Sequence, residues 1–328
     1  MATVLAGASF GAAMIAAGFY NPAVVISQLK FENWHMMQAF LAATASSVAY
    51  YTVTERAGHA KLQPRSTSPL GLFSSYDGNI IGGSLLGAGM ALSGSCPGTL
   101  FAQMAAGVHT GFYALNGAIV GGVLWTGLFS GMAARQKQRT GVKPQPVTVD
   151  SLLGASKTTV RILYEAMFAA IIVTTMLYTA RFPGAKVSGA IGGLLISLSQ
   201  LVSLVTRKSM VGISGSYEEL GNYFWWAIKG ADAQTRPRST QNMLFALSAG
   251  AGAWALAKVV PSLVALPPLE VAPAMATLGG ALMIVGSRLA GGCTSGHGIS
   301  GISLLSASSL VTIASTFAAG GVVAKLLY

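Results

Sequence analysis

Long apolar stretches with almost no charge recur along the chain and limit the folds it can adopt. Of its 328 residues, 52% are hydrophobic and only 9% are charged, whereas a soluble domain carries about a quarter charged residues. A run of roughly 20 apolar residues is long enough for a helix across a bilayer. We therefore predict an all-α polytopic membrane protein. The spanning helices that fit number about nine, at residues 3–20, 35–53, 78–95, 111–133, 160–180, 187–206, 242–260, 271–290 and 307–327.

The first apolar stretch could be mistaken for a signal peptide. Residues 1–19 lack the basic n-region of such a peptide, so we predict that they begin the first spanning helix.

Four shorter stretches between these spans are too apolar or too rich in glycine for ordinary loops. Their prolines and Gly-Ser runs disfavour a continuous spanning helix. Irregular backbone at membrane depth is tolerated only where protein or a watery cavity satisfies its polar groups. We predict four re-entrant half-helices, at Tyr20–Lys30, Pro97–Val108, Met210–Trp226 and Thr294–Leu304.

The positive charges are distributed unevenly between the loops. The chain has a net charge of +11, and most of its lysines and arginines lie in the loops 54–66, 134–161 and 207–241. Cytoplasmic loops carry such an excess. We therefore place this face and the N-terminus in the cytoplasm, the C-terminus outside, and the protein in the plasma (inner) membrane. Because the charge lies in loops and no nucleic-acid motif is present, we do not predict nucleic-acid binding.

Two parts of the chain repeat each other. At a constant spacing of 197 residues, Gly82, Gly83, Leu85, Gly89, Leu92, Gly94 and Cys96 recur as Gly279, Gly280, Leu282, Gly286, Leu289, Gly291 and Cys293. A single additional span between two four-helix halves would give the second half the opposite orientation in the membrane. Such an inverted repeat is a common plan for transporters. The predicted parts are a first membrane repeat (1–133), a flexible cytoplasmic linker (134–159), a connecting transmembrane helix (160–186) and a second, inverted repeat (187–328).

The only two cysteines of the chain, Cys96 and Cys293, end the two repeated segments. Each is flanked by glycines and opens a predicted half-helix, whose N–H groups and dipole favour an anion. A polarizable thiol is suited to contact another sulfur atom, although packing is the alternative role of a buried cysteine. Two cysteines so far apart cannot complete a metal site, and we predict neither a metal nor a cofactor.

Further residues at the two break points complete the predicted substrate-binding site. Arg288 lies inside an apolar span, where an arginine is costly and suggests function, with snorkelling to the surface as the alternative. His297 follows Cys293 by one helical turn and could donate to an anion or cap the half-helix. The serine and threonine hydroxyls at the two break points could bind the anion or could equally serve as local helix caps. The other predicted site residues are Gly94, Ser95, Thr99, Gly292, Thr294, Ser295 and Gly296.

The cysteine motifs resemble those of a known family. The stretch 286–298 followed by 306–310 is similar to the signature of the YeeE/YedE sulfur-transport family, and 91–98 and 21–25 are similar to its shorter partner subunits. The chain looks like a fusion of both. The resemblance implies uptake of thiosulfate or a related compound, passed by S–H···S contacts without covalent change. It implies Cys96 as the outer relay point, Cys293 as the inner one, and a cytoplasmic sulfur-carrier protein as partner.

The sequence also departs from the family pattern. Residues 18–22 lack the cysteine of the first re-entrant loop, and Ser300 and Leu304 stand where relatives often carry a cysteine and a basic residue. Another sulfur anion or a persulfide-like species therefore remains open as the substrate.

We predict a non-enzymatic transporter or channel for a small sulfur-containing anion in the lipid bilayer. The sequence contains no ATP-binding motif. One alternative is a membrane thiol-disulfide oxidoreductase that cycles a Cys96–Cys293 disulfide. Another is a pore for a non-sulfur small solute. The oligomeric state is not predicted.

Overall fold

The computed structural model describes residues 1–265 and 267–328, whose regular secondary structure is helical. Within these ranges, strand-like pairing is limited to an isolated bridge between Thr148 and Ser306. The prediction of an all-α chain is confirmed. The α-helices are α1 (Ala2–Ala16), α2 (Pro22–Leu29), α3 (His35–Arg56), α4 (Asp77–Ser93), α5 (Thr99–Ala105), α6 (His109–Leu124), α7 (Ser130–Thr140), α8 (Val149–Leu153), α9 (Lys157–Tyr178), α10 (Gly189–Arg207), α11 (Gly215–Ile228), α12 (Gln241–Val259), α13 (Pro273–Ala290) and α14 (Ala307–Leu327).

Several of these helices have the length and composition of membrane spans. A π-helical turn, Trp125–Phe129, joins α6 and α7 into one continuous helix. Five helices in the described ranges are long and apolar enough to cross a membrane, namely His109–Thr140, Lys157–Tyr178, Gly189–Arg207, Pro273–Ala290 and Ala307–Leu327, and α1 is a shorter apolar helix. The finer count of nine spans and four re-entrant half-helices stays a prediction.

Local sequence signals determine where the helices break. Asn21 caps α2 by accepting a hydrogen bond from the Ala23 N–H at 3.0 Å, and Pro22 occupies the first helical position, where its fixed φ is favourable. At their other ends, α4 and α13 stop at Gly94 and Gly291, with φ of +57° and +86°. This left-handed conformation favours glycine. A glycine thus ends the helix shortly before each cysteine.

The repeated segments lie on α4 and α13, and the backbones of these two helices touch. A Cβ added to Gly82 would lie 2.6 Å from the carbonyl oxygen of Gly286, and one added to Gly89 would lie 2.5 Å from that of Gly279. The contacts are reciprocal, since a Cβ on Gly286 or Gly279 would meet the carbonyl of Gly82 or Gly89 at 2.5 and 2.6 Å. In the repeat, Gly82 corresponds to Gly279 and Gly89 to Gly286. The repeat therefore relates the contact between Gly82 and Gly286 to the contact between Gly279 and Gly89.

Two further sets of helix pairs follow the same pattern. Helix α1 packs on α12, and α10 packs on α3; likewise α6 packs on α13, and α14 packs on α4. The repeat matches α1 with α10, α3 with α12, α4 with α13 and α6 with α14. Under this matching, the α1–α12 pair corresponds to the α10–α3 pair, and the α6–α13 pair corresponds to the α14–α4 pair. A buried apolar core extends through both halves.

The segment between the halves, for which flexibility stays a prediction, contains helical turns and is hydrogen-bonded to the rest of the chain. Helix α7 continues to Thr140, beyond the predicted start of the linker, and α8 forms within it. The Val149 N–H donates to the Leu305 carbonyl at 2.9 Å, and the Ala307 N–H donates to the Val147 carbonyl at 3.1 Å. The linker is therefore attached to the chain just before α14.

Glu270 caps the N-terminus of α6 from the segment that precedes α13. Its carboxylate accepts hydrogen bonds from the His109 N–H at 3.0 Å, the Thr110 N–H at 2.8 Å and the Thr110 hydroxyl at 2.7 Å. Burial acts to raise the pKa of Glu270, but the hydrogen bonds from Thr110 and His109 and the proximity of the His109 ring outweigh it, and the pKa is lowered. The resulting stabilisation is present above the ordinary glutamate pKa and is lost as the pH falls through the lowered pKa.

We expect Glu270→Gln to lower the melting temperature at neutral pH by about 2 °C, the effect of a lost helix cap. The difference from the wild type should disappear in acid, where the wild-type carboxyl is also protonated. Thermal unfolding measured between about pH 3 and pH 8 tests this. Glu32→Gln, at an exposed carboxylate paired with Lys30, is the matched control. A difference that is the same at every pH would contradict the explanation.

Candidate functional site

Cys96 lies buried in the turn between α4 and α5, and polar side chains hold this turn together. The Cys96 N–H donates to the Thr99 hydroxyl at 2.7 Å, and that hydroxyl donates to the Cys96 carbonyl at 3.1 Å. The Ser95 hydroxyl donates to the Gln103 amide oxygen at 2.6 Å, and the Gln103 amide nitrogen donates to the Gly94 carbonyl at 3.0 Å. The structure thus brings the predicted residues around Cys96 together and adds Gln103 to them.

Cys293 is buried in the corresponding turn after α13. Its sulfur lies 3.3 Å from the Ser295 hydroxyl and interacts with the backbone of Gly296 and with both the side chain and the backbone of Ser214. Ser214 immediately precedes α11. Donors from two separate segments therefore surround this thiol.

The surroundings of the two thiols meet inside the protein. The hydroxyl of Thr294, the residue after Cys293, faces the Cys96 thiol and has no well-aligned hydrogen bond within the described residues. Tyr217 is buried on α11 and lies close enough to both thiols to interact with them electrostatically. Its hydroxyl donates a long hydrogen bond, 3.4 Å, to the Pro97 carbonyl. The two cysteine motifs are distant in sequence but converge at Thr294 and Tyr217.

His297 is fully buried in the π-helical segment Ser295–Gly301, and it is attached to α14. Its Nδ1 shares a hydrogen bond of 2.9 Å with the Ser309 hydroxyl. The ring also lies near the Ala290 backbone, and its Nε2 forms no hydrogen bond among the described residues. The ring therefore connects the segment after Cys293 to α14. Direct donation to an anion stays a prediction.

Arg288 forms an ion pair with Glu218 of α11. The Arg288 and Glu218 side chains are 21% and 34% exposed, so the pair lies at the edge of the buried region. The Arg288 guanidinium is thus paired with the carboxylate of Glu218, which is not among the predicted site residues. Its direct contact with an anion stays a prediction.

The structure adds a second arginine next to Cys293. Arg65, in the segment before α4, donates from Nε to the Gly296 carbonyl at 2.6 Å and from Nη1 to the Gly291 carbonyl at 2.9 Å. Its guanidinium is within electrostatic range of the Cys293 thiol and of Arg288. In the sequence, Arg65 is one of many charges in a basic loop, and no local pattern distinguishes it.

The donors at this site suit a small anion with a soft atom. Both cysteines are free thiols, and hydroxyl and N–H groups surround them. Because hydrogen bonds from a buried site can replace the hydration shell of an ion, such a site can hold an anion in a largely dry interior. The fold and the site define an integral membrane protein built around two buried thiols.

Comparison with known proteins identifies the family. The profile of the Sulphur transport family matches residues 16–323, so the chain belongs to this family. The chain is similar to the thiosulfate transporter TsuA of Spirochaeta thermophila, with 25% identity over 296 residues that cover 86% of this chain and 84% of that protein. The resemblance to a sulfur-transport family is thereby confirmed.

Proposed function

We propose that the protein carries a small sulfur-containing anion across the membrane, with thiosulfate as the first candidate. The observation that carries this proposal is the convergence of the two cysteine motifs at Thr294 and Tyr217. Membership of the Sulphur transport family and the similarity to a thiosulfate transporter support it.

The chemistry of thiosulfate matches the donors at the site. Its terminal sulfur is soft and pairs with a thiol S–H, whereas its oxygens accept hydrogen bonds from hydroxyl and N–H groups. In our proposal the anion meets Cys96 first, passes Thr294 and Tyr217, and reaches Cys293 with Ser214 beside it. No covalent bond forms or breaks, so the protein acts as a transporter and not as an enzyme.

The proposed topology has nine spans, four re-entrant half-helices and an inverted repeat. The reciprocal glycine contacts of α4 and α13, and the exchange of helix pairs between the halves, support the repeat. Transporters of this plan bind substrate where broken helices meet at the repeat interface. The basic loops support a plasma (inner) membrane location with the N-terminus in the cytoplasm and the C-terminus outside. A cytoplasmic sulfur-carrier protein would receive the anion.

Uptake by the purified protein in liposomes tests the proposal. We expect labelled thiosulfate to enter protein-containing liposomes faster than protein-free ones, because the site replaces the hydration of the anion. Unlabelled thiosulfate should compete strongly, and sulfate, which lacks the terminal sulfur, should compete weakly.

Other outcomes would favour the alternative functions. Equally fast passage of a neutral solute such as glycerol would contradict anion selectivity and support a general pore. A Cys96–Cys293 disulfide that forms and breaks during turnover, detected by alkylation before and after reduction, would support the oxidoreductase.

A further inference from the structure

A short segment before α4, residues 64–68, lies against the Cys293 turn; we call it the Arg65 strap. The hydroxyls of Ser306 and Ser308 donate to the Arg65 carbonyl at 2.9 and 3.0 Å. At the other end of the strap, the Ser68 hydroxyl donates to the Leu289 carbonyl at 2.7 Å. The strap is therefore attached to the chain on both sides of Cys293.

The linker and α4 hold the strap from its other side. The Thr67 N–H donates to the Gln145 carbonyl at 2.9 Å, and the Ser68 N–H donates to the Asn79 side chain at 2.8 Å. These bonds fix the backbone and leave the Arg65 side chain as the part of the strap that enters the Cys293 turn.

The glycines of the Cys293 motif provide the space for the Arg65 guanidinium. A Cβ added to Gly292 would lie 3.0 Å from Nη1 of Arg65. One added to Gly296 would lie 2.8 Å from Nη2, and its three nearest atoms would all belong to Arg65. Any side chain at position 296 would therefore push the guanidinium out of the turn. The space beside these glycines and the hydrogen bonds to Gly291 and Gly296 together hold the Arg65 side chain in the turn.

We propose that Arg65 closes the Cys293 site toward the basic face and is an anion-binding residue that receives the anion as it leaves Cys293. This inference rests on the proposed function. A planar guanidinium binds an oxyanion through two parallel N–H···O bonds, and such charge-assisted bonds are stronger than bonds to neutral carbonyls. An arriving anion can therefore replace the carbonyls of Gly291 and Gly296 as the partner of Arg65, which opens the turn.

The closing role can be measured without any transport assay. The full chain, purified in detergent, is treated with a water-soluble thiol-alkylating reagent, and the modification of Cys96 and Cys293 is followed separately by mass spectrometry. We expect Arg65→Ala and Gly296→Ala each to raise the rate at Cys293 by about tenfold, since two hydrogen bonds that close the turn are lost. The rate at Cys96 should not change. Gly131→Ala, at a glycine with open space around it, is the matched control.

The anion-binding role is tested with Arg65→Lys in the liposome assay. Lysine keeps the charge but offers no planar pair of donors, so we expect the KM for thiosulfate to rise several-fold while the Gly131→Ala control keeps the wild-type KM.

Each outcome has a separate meaning. Unchanged alkylation of Cys293 in both folded variants, Arg65→Ala and Gly296→Ala, would overturn the closing role. Faster alkylation in Arg65→Ala with an unchanged KM in Arg65→Lys would overturn anion binding and leave only a closing contact. Wild-type protein without uptake would overturn the proposed function, whereas the alkylation rates would still decide whether Arg65 closes the site.

Discussion

Replacing Cys96 or Cys293 by alanine is expected to reduce thiosulfate uptake into liposomes by about tenfold to a hundredfold, and replacing both should reduce it to the protein-free background. Cys96 and Cys293 are only 2% and 1% exposed, so water cannot take the place of the lost S–H group. An anion passing through would lose a partner in a buried site, which costs about 1–3 kcal/mol.

Two further variants sharpen this test. Ser130→Ala removes a hydroxyl that bonds within its own helix and should leave uptake unchanged. Thr294→Val keeps the shape of the side chain that faces Cys96 and removes its donor, so we expect an intermediate loss. Normal uptake by a well-folded double alanine variant would contradict the role of the thiols.

Gly11→Ala and Gly117→Ala are each expected to lower the free energy of unfolding by about 3 kcal/mol. A Cβ at Gly11 would overlap the backbone carbonyl of Ala249, and one at Gly117 would overlap that of Thr277. Backbone atoms cannot rotate away as a side chain can, so α1 would have to separate from α12, or α6 from α13.

Thermal unfolding in detergent, followed together with size-exclusion chromatography, measures this loss. Gly131→Ala serves again as the control, because an added methyl group there meets no neighbour. An unchanged melting temperature for Gly117→Ala would show that the two helices can move apart at little cost.

Local signals in the sequence predicted the helix breaks and the cysteine turns. Pro22 and Asn21 start α2 through their own backbone and side-chain preferences, and Gly94 and Gly291 end their helices because of their left-handed conformation. These effects depend on a few neighbouring residues, so they can be read without the fold.

The contacts between distant segments could not be read in the same way. Arg65 bonds to Gly291, which lies 226 residues further along the chain. Tyr217 lies in the predicted half-helix Met210–Trp226, but its proximity to both thiols arises only when α11 packs beside them. Such contacts depend on tertiary packing, for which hydrophobic periodicity and turn chemistry carry no information.

The crossing of α4 and α13 limits substitution at four positions of the chain. Gly82 meets Gly286 and Gly89 meets Gly279, so each helix presents the same pair of glycines to the other, as the two partners of a symmetric dimer do. A side chain gained at any one of these four glycines would collide with the backbone of the other helix. A change at one of the four positions therefore has to be accommodated by both helices together, so these positions are coupled although they lie far apart in the sequence.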